Sequence, residues 1–360
     1  MRILYGVQGT GNGHITRARI MAKAFSRRDD VKVDFLFSGR PTEGYFDMEV
    51  FGGYQTRQGL TFVHQRGAID HWQTLRQASP LVFWQDVRSL DLAAYDLVIN
   101  DFEPISAWAA RRQKVPCISI SHQDAFRHPV PKQGDNWLNR LIMDHFAPSD
   151  VQLGVHWYHF GHPIVPPFIE NEPSGETGQH ILVYLPFEEL QEIRLMLEPL
   201  SEVNFVCFHP NLQEDEDQGN IQWRKTCKEG FHQTLQSCRG AIANGGFELS
   251  SECLQLGKKL LIKPLHGQFE QLSNVLTLET LGLCHSMPAL DSEEVENWLD
   301  SASAEPIEFP RDPHLLVNWL IGGQWQDTGE ICRQLWQQVR FPAPLSRKLA
   351  AMATHTSREG

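Results

Sequence analysis

Ile3-Leu4-Tyr5-Gly6-Val7-Gln8-Gly9-Thr10-Gly11-Asn12-Gly13-His14-Ile15-Thr16-Arg17 is the stretch that decides the fold. Ile3–Val7 is apolar and short, as a buried strand is. It breaks at Gly9 and gives way to a helical pattern from about His14 to Arg27. A strand that feeds a helix through a glycine turn opens a βαβ unit. The same alternation continues outward. Val31–Phe37, Tyr95–Asn100, Val115–Ser121 and Val151–Trp157 read as strands, with helical spacing through Ala107–Arg112 and Trp137–Phe146. Strand, helix, strand in that order predicts a parallel sheet covered on both faces.

The pattern stops at Gly161-His162-Pro163-Ile164-Val165-Pro166-Pro167 and the polar run that follows, then restarts. His180–Leu185, Val203–Phe208, Gly240–Ala243 and Lys259–Ile262 read as strands. Glu188–Leu197, Leu249–Leu256, Phe269–Leu281, Asp291–Leu299 and Asp327–Val339 read as helices. The expected organisation is a first domain over 1–163, a linker over 164–179 and a second domain over 180–326. A terminal helix and tail over 327–360 would cross back to the first domain. The fold class is therefore α/β, with two Rossmann-like, doubly wound parallel sheets facing a central cleft. In such sheets ligands bind at the carboxyl edges of the strands.

Composition narrows the function classes. The 360 residues carry a net charge of −12 and contain no run of Lys or Arg, which argues against nucleic-acid binding. Seven scattered cysteines without a CxxC pair suit buried free thiols in a reducing cytosol. No apolar run approaches the roughly 20 residues that span a bilayer, and the opening run is too short for a signal-peptide core. A cytoplasmic protein is expected, with at most peripheral contact at the inner membrane face. Trp137, Leu138, Leu141, Ile142 and Phe146 are expected to pack on the sheet rather than face lipid, because only Arg140 is basic there.

Three groups of residues could carry chemistry. Gly11, Asn12 and Gly13 precede His14 at a helix start, where free N–H groups favour an anion and His14 would face the cleft. The spacing is GxGxG and no acid ends the second strand, so a dinucleotide fingerprint is not met. Asp101 lies just past a strand end. It could orient His14 as a base toward a hydroxyl, or cap the following helix, or do both. Asp124 and His122 are weaker candidates for the same cleft. In the second half, Asn244-Gly245-Gly246 opens a helix that can cradle a phosphate. Glu252 lies within reach of a ribose, and Gln268, Glu270, Gln271 and Asn274 crowd the next helix start with sugar-binding groups.

Asp215-x-Asp217 is read as a solvated loop rather than a metal motif, and no zinc spacing is present. Ser119 and Ser121 lack a nucleophile elbow.

The second-half motif resembles the donor site of the GT-B family that includes the N-acetylglucosaminyltransferase completing lipid II. Gly246, Glu252, Gly257, Pro264, Gln271 and Asn274 fall into that family's places, Asn274 one residue early. Asp101-Phe102 before a helix is similar to the acidic partner of the catalytic His in plant-type UDP-glycosyltransferases. Gly11-Asn12-Gly13-His14-Ile15-Thr16-Arg17, Tyr184-Leu185-Pro186-Phe187-Glu188 and Gly267-Gln268-Phe269-Glu270-Gln271 look most like a less studied microbial group of predicted glycosyltransferases. The resemblance implies an inverting, metal-independent transferase. It would use a nucleoside-diphosphate sugar, expected to be UDP-linked, as co-substrate with no further cofactor. The acceptor would be a glycan, a lipid or a small molecule. His14 and Asp101 would be catalytic, and the phosphates would be held mainly by backbone N–H groups, or by Arg17 or Arg19 from across the cleft. Two departures stand out. Pro186-Phe187-Glu188-Glu189 replaces a Gly/Ser-rich turn, and no basic residue is evident near Gly245-Gly246. A UDP-sugar 2-epimerase and a non-catalytic nucleotide-sugar-binding protein remain as alternatives on the same architecture.

Overall fold

The computed structural model describes residues 1–59, 64–65, 68–69, 80–170 and 178–356. The first sheet is built from β1 (Arg2–Gln8), β2 (Lys32–Ser38), β3 (Tyr54–Arg57), β6 (Leu97–Asp101), β7 (Cys117–Ser121), β8 (Val151–Val155) and β9 (Ile164–Val165). A separate two-stranded ribbon, β4 (His64–Gln65) and β5 (Ala68–Ile69), lies outside it. The order is β3-β2-β1-β6-β7-β8-β9, and every pairing is parallel. Ile3, Leu4, Tyr5 and Val7 are all fully buried, because a parallel strand has helices over both faces.

These helices are α1 (Asn12–Phe25), α2 (Pro80–Ser89), α3 (Pro104–Gln113), α4 (His122–Ala125) and α5 (Trp137–His145). β2 and β6 lie on opposite sides of β1, so the sheet reverses direction there. The register sets Val7 beside Asp101. The turn after β1 and the end of β6 therefore share one edge, at the switch point where α/β sheets take ligands.

The second sheet comprises β10 (Ile181–Tyr184), β11 (Phe205–His209), β12 (Glu216–Gln218), β13 (Ile221–Lys225), β14 (Gly240–Ala243), β15 (Lys259–Ile262) and β16 (His285–Ser286). Its order is β12-β13-β11-β10-β14-β15-β16, parallel except for the β12–β13 hairpin. Around it lie α6 (Leu190–Leu197), α7 (Lys228–Ser237), α8 (Phe247–Gln255), α9 (Phe269–Leu281) and α10 (Ser292–Asp300). Tyr184 pairs with Ala243 and Ala243 with Ile262, so the loops following these three strands also share an edge.

Past residue 310 the chain crosses to the first sheet. Arg27 meets Asp312 at 2.8 Å, and Arg28 meets Asn318 of α11 (His314–Gly322) at 2.7 Å. In α12 (Gly329–Trp336) the indole of Trp336 donates to the Ile164 carbonyl at 2.7 Å. α13 (Ala343–Thr356) then returns to pack on α9. Ile164 and Val165, expected to begin a linker, are instead a strand of the first sheet. Residues 171–177 of that linker and 357–360 of the tail lie outside the described residues.

The expectation for α5 is corrected. Phe146 stacks on Phe102 at 4.8 Å and, with Ile142 and Met143, takes the inward contact. That leaves Trp137 77% exposed and Leu141 47% exposed on the outer face. Among the described residues no helix is long and apolar enough to cross a membrane.

Candidate active site

Three side chains converge where β1 and β6 end. His14 enters from the first turn of α1, and its Nδ1 lies 2.8 Å from Asp101 Oδ1. Arg17, one turn further along the same helix face, donates Nε to Asp101 Oδ2 and Nη2 to Oδ1, both at 2.8 Å. Asp101 is wholly buried. Burial alone would raise its pKa, but the Arg17 guanidinium and His14 outweigh burial and hold it below the usual carboxylate range. Arg17 Nη2 also lies 3.2 Å from Nδ1, but the shorter contact is to an ionised carboxylate that can only accept, which favours the His14 proton on Nδ1; among the described residues nothing bonds Nε2. This is the arrangement a general base requires.

Asp101 is available for this because another acid caps the helix. Glu103, not Asp101, takes the amides of Ile105 at 2.8 Å and Ser106 at 2.6 Å at the start of α3. The capping alternative for Asp101 is thereby excluded.

The same guanidinium spans the cleft. Arg17 Nη1 forms a close ion pair with Glu248 in the first turn of α8. Balanced by two acids, Arg17 stays charged although buried: burial opposes the charge, and Asp101 and Glu248 raise its pKa above the ordinary value. Arg17 was expected to reach phosphates. Its charge is instead engaged by Asp101 and Glu248. Arg19 donates to the carbonyls of Phe46 at 2.9 Å and Asp47 at 3.2 Å.

On the second lobe, Gly245 adopts φ +81°, which lets the chain turn sharply from β14 into α8. Gly246 is the exposed N-cap and offers no side-chain cap, so the helix amides open into the cleft. Glu252 is half-buried, and Gln268 and Glu270 lie partly open at the start of α9, where Gln268 caps the helix through the Gln271 amide. Glu270 also accepts from Gln123 across the cleft at 3.1 Å.

Three expected donor contacts are corrected. Gln271 is buried, with Oε1 accepting from the Leu265 amide at 2.9 Å. Asn274 is fully buried, donates to the Gly245 carbonyl at 3.1 Å and bonds His122 at 2.7 Å. Its side chain holds the glycine turn from behind and is closed to a ligand. Asn244 is likewise interior, donating to Glu188 at 3.1 Å and to the Lys263 carbonyl at 2.9 Å.

The departure at Pro186–Glu189 finds its reason here. Glu188 is buried against the Lys263 ammonium at 2.6 Å, so the acid that replaces glycine brings a cation with it. Sequence reading found no basic residue near the glycine pair, and Lys263 corrects that. A hollow of about 750 Å³ opens beside the Glu188–Lys263 pair toward α6 and α10, away from His14.

The family model described as Glycosyl transferase family 1 matches residues 1–302. The chain belongs to this family. It is a glycosyltransferase with two Rossmann-like domains, and solved structures of similar shape agree. The calicheamicin glycosyltransferase CalG4 superposes with a TM-score of 0.54 at 14% identity, covering 98% of either chain. MurG of Acinetobacter baumannii gives 0.52 at 14%, covering 98% of this chain and 99% of its own. The spinosyn rhamnosyltransferase SpnG gives 0.55 at 12%, covering 84% and 92%. No curated protein matches in sequence.

The remaining candidates of the transferase are structural. Asp124 accepts from Ser121 at 2.6 Å, Arg127 at 3.1 Å and Ser119, all inside the first lobe. His122 is buried between Val155, Asn274 and the ring of Phe247, 3.9 Å away. Asp217 of the acidic hairpin pairs with Arg224 at 2.6 Å, and among the described residues no acid, His and Cys cluster could hold a metal.

Two carboxyls of α8 carry a pH signature. Desolvation pushes Glu248 up to about 7 even beside Arg17, and pushes Glu252, with Glu248 near it, up to about 8. Both ordinary values are 4.5, so the folded state binds more protons than the unfolded chain between 4.5 and about 8. Their stabilisation is complete below 4.5 and is lost as pH rises through the folded values. Glu252→Gln should therefore melt roughly 2–4 °C above the parent at pH 9 and no higher at pH 5, read by thermal denaturation. Parallel melting curves across that range would refute the assignment.

Proposed function

We propose that the transferase moves a sugar from a UDP-linked donor to an acceptor hydroxyl with inversion, using His14 as base. The reading is carried by one observation: His14 hydrogen-bonded through Nδ1 to ionised Asp101, its other nitrogen without a partner among the described residues, in a cleft closed opposite by the start of α8. The acceptor hydroxyl binds on the first lobe and loses its proton to Nε2 as its oxygen attacks the anomeric carbon. The C–O bond to the diphosphate breaks on the opposite side, which inverts the centre. Amides at Gly246 and the positive end of α8 meet the charge that develops on the leaving diphosphate. Those groups supply the field that a metal provides elsewhere, so the reading needs no metal. Glu252 holds the ribose hydroxyls, and Gln268 and Glu270 hold the donor sugar. Trp137 and Leu141, exposed on the outer face of α5, suit an acceptor with an apolar part.

UDP should raise the melting temperature of the protein, since a ligand at about 100 times its Kd adds about 2.7 kcal/mol to the folded state. A thermal-shift series with UDP, TDP and GDP tests this, and three flat results would remove the donor site. Interconversion of sugar isomers without any acceptor would replace transfer by epimerisation.

A further inference from the structure

Arg40 follows β2 at the same carboxyl edge as His14. Its hydrogen-bond acceptors are all neutral. Nε donates to the Gly9 carbonyl, both Nη atoms to Asn12 Oδ1 at 3.2 Å, and Nη1 also to the Gly44 carbonyl at 3.2 Å. The guanidinium lies over the Tyr45 ring, 5.3 Å from its centre. Among the described residues no carboxylate pairs with it, and burial, unrelieved by an acid, pulls its pKa down. Arg17, by contrast, is buried with two acids.

The position is electrostatically uphill. Asn12 opens α1, Gly11 offers no side-chain cap, and the first turn holds no acid. A cation therefore sits at the positive end of a helix, where an anion is preferred. The Tyr45 hydroxyl adds a second sign. It is nine-tenths buried, has no hydrogen-bond partner among the described residues and lies against the turn: a Cβ built on Gly9 would stand 2.2 Å from it. From the second lobe, Tyr184 at the end of β10 acts on the charge of Arg40, and Lys228 of α7 meets Asp47 at 3.6 Å. The group thus lies at the rim of the cleft, with its Nη atoms open to solvent.

We propose that Arg40, with the opening amides of α1, holds a phosphate group in the cleft. This deepens the reading of a nucleoside-diphosphate donor and partly rests on it. The phosphate comes either from that donor or from an acceptor that is itself phosphorylated. Either way, the two Nη donors that now share Asn12 Oδ1 form a planar fork, and phosphate oxygens would take the place of that neutral acceptor.

Calorimetric titration of the parent, Arg40→Gln and Arg40→Lys with UDP, with uridine, and with inorganic pyrophosphate after saturation with UDP separates the cases. A charged hydrogen bond of about 1.5–3 kcal/mol predicts a loss of about 10- to 100-fold in Arg40→Gln, partly restored in Arg40→Lys. Weaker UDP with unchanged uridine assigns the donor phosphate. Unchanged UDP, with pyrophosphate bound by the UDP-saturated parent and lost in Arg40→Gln, assigns an acceptor phosphate. No change in either titration overturns the proposal, and so does an equal loss for UDP and uridine, which is a structural effect. A parent that ignores UDP but binds pyrophosphate through Arg40 keeps this site and removes the donor reading. A parent that binds neither removes both. If Arg40→Gln does not fold, Arg40→Lys alone decides, because losing the fork while keeping the charge still weakens a bidentate contact.

Discussion

His14→Ala is expected to lower transfer by about 1,000-fold while leaving UDP affinity nearly unchanged, within the about 100- to 10,000-fold range of a positioned general base. The imidazole touches no group of the second lobe's glycine turn, and its Nδ1 hydrogen bond to Asp101 closes entirely within the first lobe. The loss should therefore fall on kcat, with the donor KM steady, as for an interaction made in the transition state. The check is a pair of measurements on one preparation, initial rates and UDP titration. Undiminished turnover would end the role of His14, and a parallel loss of UDP binding would make the residue structural.

Asp101→Asn should be the most damaging conservative substitution in the chain. The amide keeps the shape but loses the charge that two buried partners depend on. Arg17 would keep Glu248 as its one balancing acid, and a buried pair broken on one side costs about 3–5 kcal/mol. His14 would also lose the acceptor that fixes its proton on Nδ1, so activity should fall about as far as in His14→Ala. The informative comparison is the double variant Asp101→Asn with Arg17→Gln. Removing both charges should recover part of the melting temperature lost in Asp101→Asn alone, with no recovery of rate. Additive losses in stability would mean that the two side chains do not act as a pair.

Much of this could be read before any coordinates. The two sheets were legible because buried parallel strands write themselves as short apolar runs between helical patterns. His14 and Asp101 were legible because Asp101 ends a strand and His14 follows the glycine turn beyond one. The same rule would have found Arg40 after β2 and Lys263 after β15, but reading by motif passed over both. Glu248 had no signal of its own, since its partner is 231 residues away in sequence. Asn274 and Gln271 illustrate the opposite failure. Polar residues at a helix start look like ligand contacts, yet here they hold the backbone of the glycine turn and the loop before α9. The exposed face of α5 was misjudged for a related reason, since spacing shows that a helix has an apolar stripe and not what lies against it.

The Arg17 bridge has a consequence for when the enzyme can react. One guanidinium is bonded to the acid behind His14 in one lobe and to Glu248 in the other. On the proposed reading, opening the cleft would strip one counter-charge from that guanidinium and shift the balance on Asp101, so the imidazole would be set as a base only with the two halves shut. A protein built this way would need no separate signal to report closure: a half-open molecule would be chemically slack, and bulk water entering it would meet a base not yet armed.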